Sequence, residues 1–205
     1  GGIYWKGDFD AFRINLALLG GFLDNDKVRN VSDVTGYHAV HGRYNGYYIS
    51  PSLTLEAPIH LASIPVVASA RVNYVGLFLD GYTERGSSHP LTIDSHQNAL
   101  ISSKVQLSFP QLTVFADGSH IHTDLRLGAK ATHDAGTESV SGSVAGVSFN
   151  FEATPDDEAS GFAGLGITHT SADGRRSLSF NAELQKGLLH PGFQAMGEVK
   201  ATWHF

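Results

Sequence analysis

From Phe193 to Phe205 the chain alternates between two chemically distinct sets of side chains. Phe193, Ala195, Gly197, Val199, Ala201, Trp203 and Phe205 form one set; Gln194, Met196, Glu198, Lys200, Thr202 and His204 form the other. Successive side chains on a strand point to opposite faces, so the segment reads as a ribbon with an apolar face and a polar face that carries a charge pair. Its length, and the aromatic residues at its end, fit a strand that crosses a membrane and anchors at the interface.

The same period-two pattern recurs upstream. Leu178, Phe180, Ala182 and Leu184 alternate with Ser177, Ser179, Asn181, Glu183 and Gln185. A turn built on Asp173-Gly174 joins this strand to Ala159–Thr170, where Ala163, Leu165 and Ile167 oppose Gly164, Gly166 and Thr168. Further alternating segments lie around 144–151, 124–131, 99–109, 68–74, 47–56 and 12–18. Together they make roughly nine strands of about ten to fifteen residues, enough to cross a bilayer at a tilt. No segment has a competing helical period.

Composition agrees with a two-faced wall. Only 17% of the 205 residues are charged, 23 are glycine, and mean hydropathy is close to zero. That average is expected when lipid-facing and polar positions alternate. No run of about 18 apolar residues suggests a transmembrane helix. The net charge of −6 and the lack of a Lys/Arg cluster argue against a nucleic-acid partner. There is no cysteine, so thiolate metal sites and disulfide scaffolds are excluded. The sequence starts at Gly1 with no signal-like segment, and we read it as part of a longer chain.

Charges on the polar faces decide between architectures. Arg13, Arg71, Lys104, Arg126, Lys130, Glu183, Glu198 and Lys200 fall on the polar side of strand centres. In a barrel they would line a polar lumen and pair with one another. A soluble β-sandwich with these charges on its outer faces is the alternative, but its strands are usually only about five or six residues long. The expectation is an all-β, antiparallel transmembrane barrel occupying residues 1–205. Short connections at 134–137, 171–175 and 189–192, and longer ones at 24–43, 80–94 and 152–158, do not alternate cleanly enough to assign either end to a side of the membrane.

Several blocks carry a more specific signal. Asn45-Gly-Tyr-Tyr-Ile-Ser-Pro-Ser-Leu-Thr-Leu55, Ala68-Ser-Ala-Arg-Val-Asn-Tyr-Val75, Leu79-Asp-Gly-Tyr-Thr-Glu84 and Leu91-Thr-Ile-Asp94 resemble successive blocks of the autotransporter β-domain. Gly197-Glu-Val-Lys-Ala-Thr-Trp-His-Phe205 resembles the closing strand of that family. The resemblance implies a twelve-stranded outer-membrane barrel with a helix in its pore, which anchors and exports an N-terminal passenger by type V secretion. It also implies that Val199, Trp203 and Phe205 are recognised by the barrel-assembly machinery. About nine strands are visible, so N-terminal strands are expected before Gly1, with the C-terminus native. The expected partners are outer-membrane lipid, the assembly machinery and the chain's own passenger segment. A free-standing porin or adhesin-like barrel without a passenger is the alternative.

Chemical motifs point away from an enzyme. His38 and His41, and His120 and His122, are closely spaced, but no acidic or cysteine partner stands at a ligand spacing, and no metal or cofactor is expected. No G-x-S-x-G elbow occurs. The glycines of Gly161-Phe-Ala-Gly-Leu-Gly166 have the wrong spacing for a phosphate loop and lie on a strand, where small inward residues let the wall curve or let another element pack close.

Overall fold

A computed structural model describes residues 1–33, 36–136, 139–152 and 157–203. The alternation predicts strands, and strands are what form. Nine of them build one sheet: β1 (Gly2–Asp8), β2 (Arg13–Asp33), β3 (Gly36–Leu61), β4 (Ile64–Leu79), β7 (His96–Val114), β8 (His120–Asp134), β11 (Glu158–Thr170), β12 (Arg176–Gly187) and β13 (Phe193–Trp203). Each strand pairs antiparallel with the next in that order. The short strands β5 (Tyr82–Thr83), β6 (Leu91–Ile93), β9 (Ser139–Val144) and β10 (Val147–Glu152) form a second sheet in the order β10-β9-β6-β5. The large sheet is open, since β1 and β13 each pair on one side only.

Burial is inverted relative to a water-soluble protein. Among the described residues only Val40, Val66, Ala99 and Phe162 are buried hydrophobics, against forty large hydrophobic side chains that are exposed. An apolar surface of that extent requires an apolar surrounding, and hydrocarbon supplies it. The register places these side chains in rows. Ile14, Leu16 and Leu18 on β2 oppose Leu55, Leu53 and Pro51 on β3, and Leu53 in turn opposes Val72 on β4.

Aromatic side chains mark the edges of the apolar band. Phe22, Tyr47 and Phe78 stand side by side on β2, β3 and β4, with the Tyr47 and Phe78 rings stacked at 4.6 Å. Two residues further along β2 the same face becomes charged, where Arg43 pairs with Asp24 at 2.6 Å. At the opposite end Phe9 and Phe12 stack at 4.8 Å. Ten residue steps from Phe12 to Phe22 cover about 34 Å along the strand. At a tilt of about 40° that is about 26 Å, the height of a membrane-barrel apolar band.

The connections alternate once the strands are in place. At one end the strands are joined through residues 9–12, 62–63, 115–119 and 171–175, all short. The opposite end carries the extended β2–β3 pair, residues 80–95 with β5 and β6, the β9–β10 hairpin, and residues 188–192. Two sequence expectations change here. Of residues 24–43, expected as a polar loop, 24–33 continue β2 and 36–43 belong to β3, paired with each other beyond the apolar band. Residues 144–151, expected as a wall strand, instead belong to the β9–β10 hairpin, because Ala145 (φ 51°) and Gly146 (φ 80°) turn the chain within two residues. Their place in the wall is taken by β1, so the wall still has nine strands. The turn expected at 134–137 and the loop expected at 152–158 extend into residues outside the described set.

The loop layer docks onto the β2–β3 hairpin through a buried carboxylate. Glu84, with a side chain 1% exposed, accepts hydrogen bonds from Arg29 Nε at 3.0 Å and from the Leu91 amide at 3.3 Å. His41 and Arg85 exchange backbone hydrogen bonds, and Tyr82 stacks on Tyr44 above Gly42. The Arg29 hydrogen bond holds the Glu84 carboxyl below the usual carboxylate range, against the opposing effect of burial. A depressed folded-state value gives a contribution that is complete above the unfolded-state value and is lost as pH falls through the folded one. Glu84→Gln is therefore expected to cost about 1 kcal/mol of docking at neutral pH, with Arg29 partly exposed to water. Limited proteolysis of the loop at residues 80–95 checks this: the variant should be cut readily at neutral pH, and the wild type only after acidification.

Candidate translocation face

The polar face of the large sheet carries the charged residues singled out by the sequence. Its central row runs from Thr54 on β3 through Arg71, Lys104 and Lys130 to Ser160 on β11, each directly opposite the next. Three cations thus occupy consecutive strands. Arg71 Nε donates to Thr54 Oγ1 at 3.0 Å, and Lys130 Nζ to Glu183 Oε1 at 3.1 Å. Lys104 has no carboxylate within ion-pair distance among the described residues, and its ammonium lies 4.3 Å from the centre of the Phe162 ring. Lys130 Nζ stands 5.7 Å from the same ring.

Phe162 reaches this position because its neighbour is glycine. It faces Gly128 across the β8–β11 pair, and its ring covers the space a side chain there would occupy. A Cβ at Gly128 would fall 2.2 Å from the Val105 carbonyl oxygen and 2.7 Å from the ring. The ring is a buried apolar surface on an otherwise polar face, and it attracts both ammonium groups through its π-face. Sequence alternation alone puts Phe162 among inward positions, but only the register reveals the glycine beneath it.

Two further glycines open room for Arg126. Arg126 opposes Gly164, which opposes Glu183, and the next row runs Asp124, Gly166, Asn181 and Glu198. Lacking side chains, Gly164 and Gly166 let the guanidinium lie across β11, where Nη2 reaches Asn181 Oδ1 at 3.5 Å. Arg126 Nε stands 3.8 Å from Asp124 Oδ2, too far for a hydrogen bond, and is buried without a partner. Asp124 instead accepts from Ser108 at 2.8 Å.

The remaining residues singled out by the sequence sit apart from this cluster. Arg13 lies near the short-turn end between Asp8 and Glu56, with Nε donating at 2.5 Å and Nη1 at 3.3 Å. It is thereby neutralised by acids on both neighbouring strands. Glu198 and Lys200 occupy the polar face of β13 opposite Asn181 and Ser179, and both are exposed. On the other face of β13, Val199 opposes Phe180 and Trp203 opposes Arg176, and both are exposed as well. His204 and Phe205 lie outside the described residues. His120 and His122 share one face of β8, and no group of three or more potential metal ligands converges among the described residues.

A strongly apolar outer face, an aromatic rim and a charged inner face on one antiparallel sheet define an outer-membrane β-barrel wall. The chain belongs to the autotransporter β-domain family: the family model described as "Autotransporter beta-domain" matches residues 1–183. No match was found among curated proteins or among solved structures. The protein is therefore an outer-membrane translocator barrel of the type V secretion class, resident in the bacterial outer membrane. The family is one of translocators and not an enzyme class.

Gly128→Ala is expected to destabilise the folded barrel by about 1–3 kcal/mol, since both the Val105 carbonyl and the Phe162 ring must move. The temperature at which the protein loses its folded gel mobility should fall. An unchanged transition temperature would show that the wall absorbs the extra methyl group.

Proposed function

We propose that this wall is the larger part of a barrel that exports an N-terminal passenger and then anchors it at the cell surface. The observation that carries the proposal is the family match across a sheet with a charged inner face. Nine alternating strands leave β1 and β13 running in the same direction. Antiparallel closure needs an even total, so the barrel closes through an odd number of additional strands; three N-terminal strands would make twelve. On this proposal residues 1–205 belong to one barrel domain. The end bearing the long β2–β3 hairpin and the loop layer faces outward, and the short turns face the periplasm.

On this proposal Arg13, Arg71, Lys104, Arg126, Lys130, Glu183, Glu198 and Lys200 line the lumen and meet the passenger segment as it passes. Combined charge reversal at Arg71 and Arg126 should reduce passenger display at the cell surface, measured by protease accessibility on intact cells. Unchanged display together with unchanged heat-stability counts against the proposal.

Val199, Trp203 and Phe205 form the assembly signal. Val199 and Trp203 are exposed on the apolar face of the last strand, and together with Phe205 they are what the barrel-assembly machinery reads on this proposal. Removal of Phe205 should lower the amount of folded barrel in the outer membrane. Normal membrane levels of the deletion variant would remove Phe205 from that role.

A further inference from the structure

The row Arg71, Lys104 and Lys130 places like charges directly opposite one another on three adjacent strands. Such pairs are destabilising in a sheet. The neighbouring Arg126 adds a fourth cation, and Glu183 and Asp124 are the carboxylates in contact with this group. Lys104 lies in the field of Glu183 and of the three cations Lys130, Arg126 and Arg71, and has no ion pair of its own among the described residues. Arg126 Nε is a buried donor with nothing to donate to. Four cations, two carboxylates and an orphaned donor on one surface leave an unmet requirement for negative charge. Anionic oxygens meet it, because guanidinium and ammonium groups both donate to them through charge-assisted hydrogen bonds.

We infer that Arg71, Lys104, Lys130 and Arg126 form an anion-binding site on the inner wall, which takes carboxylate or phosphate oxygens. The inference rests on the polar face lining the lumen, as proposed above, and adds the chemistry of what sits there. Phe162 keeps the site compact, giving both ammonium groups an apolar floor and a π-face while leaving free for a ligand the donors of Lys104 and those of Lys130 not given to Glu183. Two sources supply the same chemistry: acidic side chains of a segment of the same polypeptide held in the lumen, or a free anion from solution.

Lys104 makes the test diagnostic by sign. Without a bound anion, removing its charge relieves repulsion from three neighbouring cations but gives up its attraction to Glu183 and to the Phe162 ring. The sign is therefore read in a Phe162→Leu background, where Lys104→Gln should raise the unfolding temperature or leave it unchanged. With an anion bound, the same substitution should lower it. The experiment follows the heat-induced gel-mobility transition of the full-length protein in detergent, for wild type, Lys104→Gln and Lys104→Arg, and for the same three in the Phe162→Leu background. Each is measured in chloride and in inorganic phosphate at equal ionic strength. A free-anion site predicts that phosphate raises the transition by about 2–4 °C in wild type and Lys104→Arg but not in Lys104→Gln. A site filled by the chain's own carboxylates predicts no phosphate effect in wild type and, in the Phe162→Leu background, a lower transition in Lys104→Gln, restored in Lys104→Arg. A transition in Lys104→Gln equal to or above that of its Phe162→Leu parent, with no response to phosphate in wild type, overturns the inference. Passenger display on intact cells, scored in parallel for wild type, keeps the two readings separable. Display together with no phosphate response and a Lys104→Gln transition equal to or above that of its Phe162→Leu parent removes the binding site and leaves the translocator standing, whereas absence of display removes the translocator itself.

Discussion

A backbone amide placed in hydrocarbon has no water to bond, so each wall strand depends on its neighbours for its hydrogen bonds. The rest of the molecule follows from that ladder. Strands must be long enough to cross the apolar layer, and β2, β3, β7 and β8 run 15 residues or more. Each strand carries two opposite surfaces, so the face turned to lipid must be apolar and the other is free to be charged. That is why so few hydrophobic residues are buried: the hydrophobic effect acts here between wall and lipid, not within a protein core.

The inner face uses the freedom left by the ladder. In a soluble sandwich, inward lysines would be excluded by the cost of burying unpaired charge. A polar face that water can reach removes most of that cost, and packing then decides where each charge rests. Glycines at 128, 164 and 166 set the arrangement. Gly128 admits the Phe162 ring beneath two ammonium groups, while Gly164 and Gly166 let Arg126 cross β11 to reach Asn181. The glycines of this wall are best understood as spaces shaped for neighbouring side chains.

Much of this was legible in the sequence because a strand's period of two is written directly into residue order. Leu178 to Leu184 and Phe193 to Trp203 face the way their alternation predicts, and Lys104 and Lys130 share a polar face for the same reason. What escaped was fixed by contacts remote in sequence. Residues 144–151 alternate as well as any wall strand, but Ala145 and Gly146 form a two-residue turn, and β9 pairs with β6 some fifty residues earlier. The polar residues after Asp24 looked like loop because alternation reports burial and not backbone state; there the hairpin stands beyond the lipid, and its outward face turns charged. Glu84 gave no signal at all, since its partner Arg29 lies 55 residues away on another hairpin.

Register converts these separate facts into one electrostatic surface. An antiparallel ladder fixes which residues lie opposite, and a slip by one residue would carry Arg71, Lys104 and Lys130 to the lipid face. The cost of placing three cations against hydrocarbon is large, so the same charges that repel one another across the inner wall also disfavour the slipped register. Phe162 acts in the same direction, because its ring fits only over Gly128 and would meet a side chain at either neighbouring position on β8, Leu127 or Ala129. The charged row therefore does two things at once: it gives the polar face of the wall a basic surface, and it helps hold each strand of the wall against the correct residues of the next.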